Sequence, residues 1–216
     1  YTRQTSLTND YVAFSTSTTA TPGSAVSAPF FAISTTTLDI PALAYQATFY
    51  YIDTTASANY GVGGPFIQLS VPALFSSTQP VTVVADAISQ IGISAGTGQV
   101  LGAGTTSQIF TLETRDFYGN ASPMRSGQDT GPDAGTGKIS FNLNSDSPGA
   151  VRFSTYVPGV FPVGAGKAYL TVGQSATNFY LIDTLLSKPT YMITVTGNTY
   201  PTWTEAKSSY VVTAGP

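Results

Sequence analysis

The chain has 216 residues and a formal net charge of -3, with charged side chains at only 9% of positions, against roughly 25% in an ordinary globular protein. Its Lys and Arg residues are too few for a phosphate backbone or an anionic lipid surface, and no run of about 18 apolar residues occurs, so we expect no nucleic-acid partner and no membrane span. With no Cys and no His, thiolate chemistry, the usual zinc sites and every Ser-His-Asp arrangement are excluded, and we expect the protein not to be an enzyme.

Short β-strands are predicted almost throughout, because apolar and polar residues alternate between Gly, Pro, Asn or Ser boundaries. In chain order these segments are YQATFYYIDT, GGPFIQLSVPALF, QPVTVVADAI, SQIFTLETRD, GKISFNLNS, GKAYLTVGQ, NFYLIDTLL, PTYMITVTGN and SSYVVTAGP. The nearest approach to a helix, ADAISQIGIS, is weakened by Gly92 and its β-branched residues. The pattern predicts an all-β protein with two β-sandwich domains, residues 1–88 and 89–216.

The first residues, YTRQTSLTNDYVAFSTSTTATPGS, support two interpretations. In one interpretation, a strand adds to the sheet of a neighbouring subunit. Main-chain hydrogen bonds would join it to that sheet, and every second apolar side chain would fill a pocket there. The residues concerned are Tyr11, Val12, Ala13 and Phe14. In the other interpretation, the same residues form an ordinary first strand of their own domain.

The stretch GISAGTGQVLGAGTTSQ is rich in Gly, Ser and Thr and marks the passage between the domains. Its apolar residues, and Ile91 just before it, could equally form the opening strand of the second domain. GISAG also matches the G-x-S-x-G pattern of hydrolases, but that pattern needs a His base. We therefore interpret it as a chance match.

The loop SGQDTGPDAGTGK offers carboxylates for a hard cation such as calcium, which prefers several oxygen ligands on a flexible loop. Asp129 and Asp133, with Asp116 from a neighbouring turn, would form this candidate site. The alternative is a solvated turn in which each Asp accepts hydrogen bonds from its own backbone. Calcium is the only cofactor that the sequence suggests.

Aromatic residues cluster near the C-terminus in NTYPTWTEAKSSY. Tyr200, Trp203 and Tyr210 are the candidates for stacking on a glycan. The alternative is a plug at the end of a strand that packs on the core, since aromatic side chains commonly fill such positions.

The segment FTLETRDFYGNASP combines strict alternation with a rare charge cluster. Phe110, Leu112 and Thr114 would share one strand face, so Glu113 and Arg115 would be neighbours on the other face and could pair. Asp116 would then cap a turn in which Gly119 or Asn120 takes a positive φ.

The second half resembles bacterial immunoglobulin-like repeats of the invasin and intimin type and, more distantly, filamin repeats. The resemblance covers roughly residues 95–197 and lies in FTLETRDFYGNASP, GKISFNLNSDSPGAVRFS, VGAGKAYLTV and TYMITVTG. The matching residues are Asp116, Gly119 and Asn120 in the turn, and Gly166, Lys167, Ala168 and Leu170 in the later strand. The resemblance implies an immunoglobulin-like sandwich for the second domain. Two of its loops, SPMRSGQDTGPDAGT and STYVPGVFPVG, are long for such repeats. The first half resembles no family that we can name.

The low charge, the richness in hydroxyl groups and the repeat resemblance favour an extracellular or cell-surface structural subunit. We expect it to assemble with copies of itself into a filament, a surface layer or an adhesin stalk, with strand addition between subunits as one route. The alternative is a carbohydrate-binding or adhesive module whose partners are surface glycans.

Overall fold

In the computed structural model, the described residues are Val12–Ser15, 50–59, 65–69, 76–156, 161, 166–186 and 189–215. The chain divides into two compact units, Tyr1–Ala85 and Asp86–Pro216. The division predicted from the sequence, between residues 88 and 89, falls just after this point.

The described part of the N-terminal unit contains two antiparallel strand pairs. Strand β1 (Val12–Ser15) pairs with β2 (Tyr50–Asp53), and β3 (Phe66–Leu69) pairs with β4 (Ser77–Pro80). A short 3-10 helix, Ser57–Asn59, follows β2.

The strand predicted over QPVTVVADAI is wrong beyond β4, because residues 81–89 lie in no strand. The Val81 amide donates to the Pro65 carbonyl, whereas Val83 exchanges hydrogen bonds with Ser57 through its amide and its carbonyl. The segment changes partner along its length, so no continuous ladder forms.

The described part of the C-terminal unit is a β-sandwich of nine strands, which confirms the all-β prediction. The strands are β5 (Gln90–Ala95), β6 (Gln99–Gly102), β7 (Phe110–Arg115), β8 (Lys138–Ser145), β9 (Arg152–Ser154), β10 (Gly166–Thr171), β11 (Ala176–Ile182), β12 (Tyr191–Gly197) and β13 (Ala206–Thr213). The stretch GISAGTGQVLGAGTTSQ thus supplies most of β5 and all of β6, the opening strands of this unit.

The two sheets have the orders β10-β8-β12-β13-β6 and β5-β7-β11-β9. All neighbouring strands are antiparallel except β6, which runs parallel to β13. The second order is the A-B-E-D order of an immunoglobulin sandwich, and β8-β12-β13 corresponds to its C-F-G sheet. The connection from β8 to β10 is unusual. These two strands are neighbours in the five-stranded sheet, but between them the chain crosses to the four-stranded sheet, where it forms β9.

The core lies between the two sheets and is built by alternation along each strand. In β7 every second residue from Phe110 onward is buried, and the residues between are half-buried, as the sequence predicted. The ring of Phe110 stacks on that of Phe179 with centroids 5.2 Å apart. Phe153, from the edge strand β9, packs on Phe179 at 6.3 Å. Such aromatic pairs contribute about 0.5–1.5 kcal/mol beyond the area that they bury.

A tyrosine at the start of β12 fixes the corner between β11 and β12. Tyr191 is fully buried, and its hydroxyl donates a hydrogen bond of 3.0 Å to the backbone carbonyl of Leu185. This is the position and the bond of the tyrosine corner of immunoglobulin sandwiches. Tyr191 lies in the segment TYMITVTG, but the sequence alone does not show that its hydroxyl bonds to the backbone of the preceding connection.

The structure has little helix where it is described. The two helices in those residues are short 3-10 turns, Ser57–Asn59 and Gly131–Asp133. Neither comes near the length and the apolar character that crossing a bilayer requires.

Candidate functional site

The N-terminal strand pairs within its own chain. Val12 lies opposite Asp53, Ala13 opposite Ile52 and Phe14 opposite Tyr51. The main-chain groups on the β2 side of β1 are therefore engaged within the chain, as in an ordinary first strand, and addition to the sheet of a neighbouring subunit stays a prediction. The fourth residue of that prediction, Tyr11, lies outside the described residues.

Asp116 organises the turn after β7. Its carboxylate is almost fully buried and accepts hydrogen bonds from the amides of Tyr118 (2.9 Å), Asn120 (2.9 Å) and Asp86 (3.0 Å), and from the Asn120 side chain (2.8 Å). Gly119 takes a φ of 86°, a conformation that favours glycine. The predicted cap is therefore present, and the carboxylate oxygens are occupied by the protein's own donors.

The side chain of Asp133 is also buried. Asp133 ends the 3-10 helix Gly131–Asp133, which lies in the long loop between β7 and β8. It accepts hydrogen bonds from the Ser140 amide (2.9 Å), the Ser140 hydroxyl (2.6 Å) and the Thr199 hydroxyl. Burial alone would raise the pKa of Asp133, but these bonds and the charge of Lys167 outweigh it and hold that pKa below its ordinary value. The carboxylate thus ties the long loop to β8.

The three predicted calcium ligands do not form a site. Asp129 accepts a hydrogen bond of 2.9 Å from the Gly137 amide within its own loop. No group of three acidic side chains converges anywhere in the described residues. Asp116, Asp129 and Asp133 each satisfy backbone or hydroxyl donors nearby, which is the turn interpretation, and the calcium prediction at these residues is corrected.

The aromatic candidates pack on the core. Tyr200 and Trp203 stack with centroids 4.5 Å apart, Trp203 lies 6.3 Å from Phe141, and the Tyr200 hydroxyl donates to the Gln128 carbonyl at 2.7 Å. Both rings are half-buried against the core. They form a plug at the end of the sandwich, which is the alternative interpretation, and glycan contact through their exposed parts stays a prediction.

Tyr210 is fully buried and belongs to a polar cluster inside the sandwich. Its hydroxyl donates to Asp183 at 2.9 Å and lies 2.7 Å from the Ser145 hydroxyl. Burial raises the pKa of Tyr210 well above its ordinary value, and the neighbouring Asp183 carboxylate adds to the increase. This residue cannot contact a glycan, and it instead supplies the donor that a buried carboxylate needs.

Glu113 and Arg115 form the ion pair that the alternation predicted, with 2.9 Å between carboxylate oxygen and guanidinium nitrogen. Partial burial opposes ionisation of Glu113, but hydrogen bonds from Ser94 and Arg115, with the Arg115 charge, hold its pKa below the ordinary value. The pair lies on the outer face of the four-stranded sheet. An exposed pair of this kind contributes little to stability, typically 0–1 kcal/mol.

The edges of the sandwich differ in charge, and no pattern in the sequence predicted this difference. At one side, the edge strands β9 and β10 carry Arg152 and Lys167. At the other side, β5 and β6 have the sequences QIGISA and QVLG, without charge or proline. Val100 of β6 is 67% exposed, and no other described strand pairs with the outer side of β6.

No protein-family model and no curated protein matches the chain. Among solved structures it is similar to domains 1–6 of the surface layer protein SbsC, at 21% identity and a TM-score of 0.37, over 65% of this chain and 15% of that one. It is also similar to a glycosyl hydrolase family 2 member from Bacteroides cellulosilyticus, at 13% identity and a TM-score of 0.40, over 64% and 16%. The chain therefore spans only a small part of either protein. Similarity this low supports no inference about function.

Proposed function

We propose that this chain is a structural subunit of an extracellular or cell-surface assembly, with a scaffolding rather than a catalytic role. Copies of the chain would associate into a filament, a surface layer or an adhesin stalk. The observation that carries the proposal is the uncharged edge of the C-terminal sandwich at β6.

Edge strands normally carry devices that prevent association, such as lysine, proline or a covering loop. The first residues of β5 are partly covered by a parallel bridge between Gln90 and Thr204. Strand β6 has no such cover among the described residues, and it presents Val100 to solvent. A chain that uses so little charge, with an open apolar edge, is suited to pairing with another copy through main-chain hydrogen bonds.

We further propose that the C-terminal unit is a relative of the bacterial immunoglobulin-like repeats. The proposal rests on the residues that carry the resemblance and is supported by the strand order of the sandwich and the Tyr191 corner. Repeats of this kind are joined into stalks, which fits a scaffolding role. The unusual passage through β9 before β10 distinguishes this chain from the ordinary immunoglobulin order.

A charge placed on β6 tests the role of this edge. Val100→Lys adds an ammonium group to the solvent-facing face of this edge strand, and we expect it to leave the fold intact and to weaken self-association. Val172→Lys is the matched control, because Val172 is 52% exposed and lies in a turn after β10. Light scattering across a concentration series compares both variants with the wild type.

The expected result is assembly of the wild type and of Val172→Lys at concentrations where Val100→Lys stays monomeric. Equal assembly of both variants would remove β6 from the interface. A wild type that stays monomeric throughout the series would overturn the proposal as a whole.

A further inference from the structure

A shallow groove opens beside the connection between β5 and β6, and it is lined by neutral residues. Its volume is about 630 Å³, within the range of about 300–1,000 Å³ that is usual for small-molecule sites. The lining residues are Ala95, Gly96, Gln99, Gln108, Ile109 and Tyr180. Tyr180 comes from the outer face of β11, since its neighbours Phe179 and Leu181 point into the core.

Gly96 shapes one wall of this groove. Its φ is 91°, and a Cβ there would lie 2.5 Å from a Phe110 ring carbon and 2.7 Å from the Gln99 side-chain nitrogen. The positive φ, the Phe110 ring and the Ile109 carbonyl at 2.8 Å therefore require glycine here. Beside it, the Gln99 side chain donates a hydrogen bond of 3.2 Å to the Ile109 carbonyl. This bond fixes the carboxamide of Gln99 and leaves its oxygen as an acceptor.

Two further polar groups of the groove have no partner in the described residues. These are the side-chain carboxamide of Gln108 and the hydroxyl of Tyr180. A carboxamide offers two donors and an acceptor, and a phenol offers one of each. Together with the Tyr180 ring and the half-exposed Ile109, they place hydrogen-bonding groups beside an apolar surface.

We propose that this groove binds a neutral saccharide. A pyranose has an apolar C–H face, which would pack on the Tyr180 ring, and a rim of hydroxyls, which would bond to the two carboxamides. Among the described residues, no charged side chain lines the groove, so a charged ligand would lose hydration without gaining a counter-charge. The site is distinct from the aromatic cluster at Tyr200 and Trp203. Because Gln99 also belongs to β6, binding is measured at protein concentrations below those at which the chain assembles.

Saturation-transfer NMR with maltose, cellobiose, mannobiose and lactose tests the proposal, with the anionic sialyllactose as a comparison. We expect at least one neutral disaccharide to bind and sialyllactose to bind more weakly than lactose. Tyr180→Ala should weaken binding about tenfold, because a stacked ring is lost. Gln108→Ala should also weaken binding, and Tyr180→Phe should retain the contribution of the ring.

Tyr156→Ala is the matched control, because Tyr156 is an exposed tyrosine outside the groove. It should bind like the wild type. Absence of binding by every neutral disaccharide would overturn the proposal, as would equal binding by Tyr180→Ala and Tyr156→Ala, or tighter binding of sialyllactose than of lactose. If Tyr180→Ala fails to fold, Gln108→Ala decides, since its side chain is exposed and makes no described contact that holds the fold.

Discussion

Asp116 connects the start of the C-terminal unit to the end of β7. Its two carboxylate oxygens accept four hydrogen bonds, one of them from the amide of Asp86, the first residue of that unit. Charged acceptors form the stronger class of hydrogen bonds, and a buried donor that loses its acceptor is destabilising. The carboxylate therefore has a structural role at this turn, and its charge is balanced by backbone dipoles.

The first prediction concerns this carboxylate. Asp116→Ala should lower the free energy of unfolding by about 3 kcal/mol, because buried amides of the turn lose their acceptor. Asp129→Ala is the control, since it removes a single hydrogen bond in an exposed loop and should cost well under half as much. Urea denaturation measures both. Similar losses for the two variants, or a large stabilisation of the wild type by added calcium, would contradict this account.

The second prediction concerns acid stability. The pKa of Asp133 is lowered in the folded state, so the stability that its carboxylate contributes is present above the unfolded pKa and is lost as pH falls through the folded one. Asp133→Asn should therefore be less stable than the wild type at pH 7. The difference should shrink below about pH 4, where the Asp133 carboxyl of the unfolded wild-type chain begins to take up a proton.

Denaturant melts at pH 7, 5 and 3 measure this difference. Glu113 also has a lowered pKa, but it is present in both proteins and its contribution cancels in the comparison. A difference that stays constant from pH 7 to pH 3 would show that Asp133 does not carry the effect.

At the scale of the elements, the tyrosine corner links β11 to β12 across the end of the sandwich. Tyr191→Phe keeps the buried ring and removes only the hydroxyl that reaches Leu185. We expect it to lower the free energy of unfolding by about 1–2 kcal/mol, because the buried carbonyl loses its donor. Tyr156→Phe, at an exposed tyrosine, should change stability by much less. Thermal or urea unfolding that finds the two variants alike would contradict a role for the corner.

The strands with clear alternation were predictable from the sequence because each has one face in the core. β7 is an example, and its Glu113–Arg115 pair followed from the same periodicity. β6 and β9 are too short to show a period, and their places depend on pairing with β13 and β11. Residues 81–89 have strand composition, but their hydrogen bonds go to separate partners, which no local pattern reveals.

The candidate sites were less predictable than the fold, because each depends on residues that are distant in the sequence. The groove joins the β5–β6 connection to Gln108, before β7, and to Tyr180 of β11. None of these segments is unusual by itself. Conversely, the aromatic residues near the C-terminus looked like a surface in the sequence, but Tyr210 faces inward on β13 and the pair at Tyr200 and Trp203 covers the core.

At the scale of the whole molecule, charge is sparse and unevenly placed. Residues 1–85 contain one basic residue and three acidic ones, a net of -2, and residues 86–216 contain seven basic and eight acidic ones, a net of -1, which together give the net of -3. Three of those eight acids are buried: Asp116, Asp133 and Asp183. Because β6 has no charge, association through it should depend only weakly on salt.

Electron microscopy of the purified chain tests self-assembly most directly. Samples at rising protein concentration, in low and in high salt, would be examined for regular polymers or layers. We expect filaments or sheets with a constant subunit repeat, at both salt concentrations. Separate particles of monomer size at every concentration, from protein that is folded by circular dichroism, would contradict it.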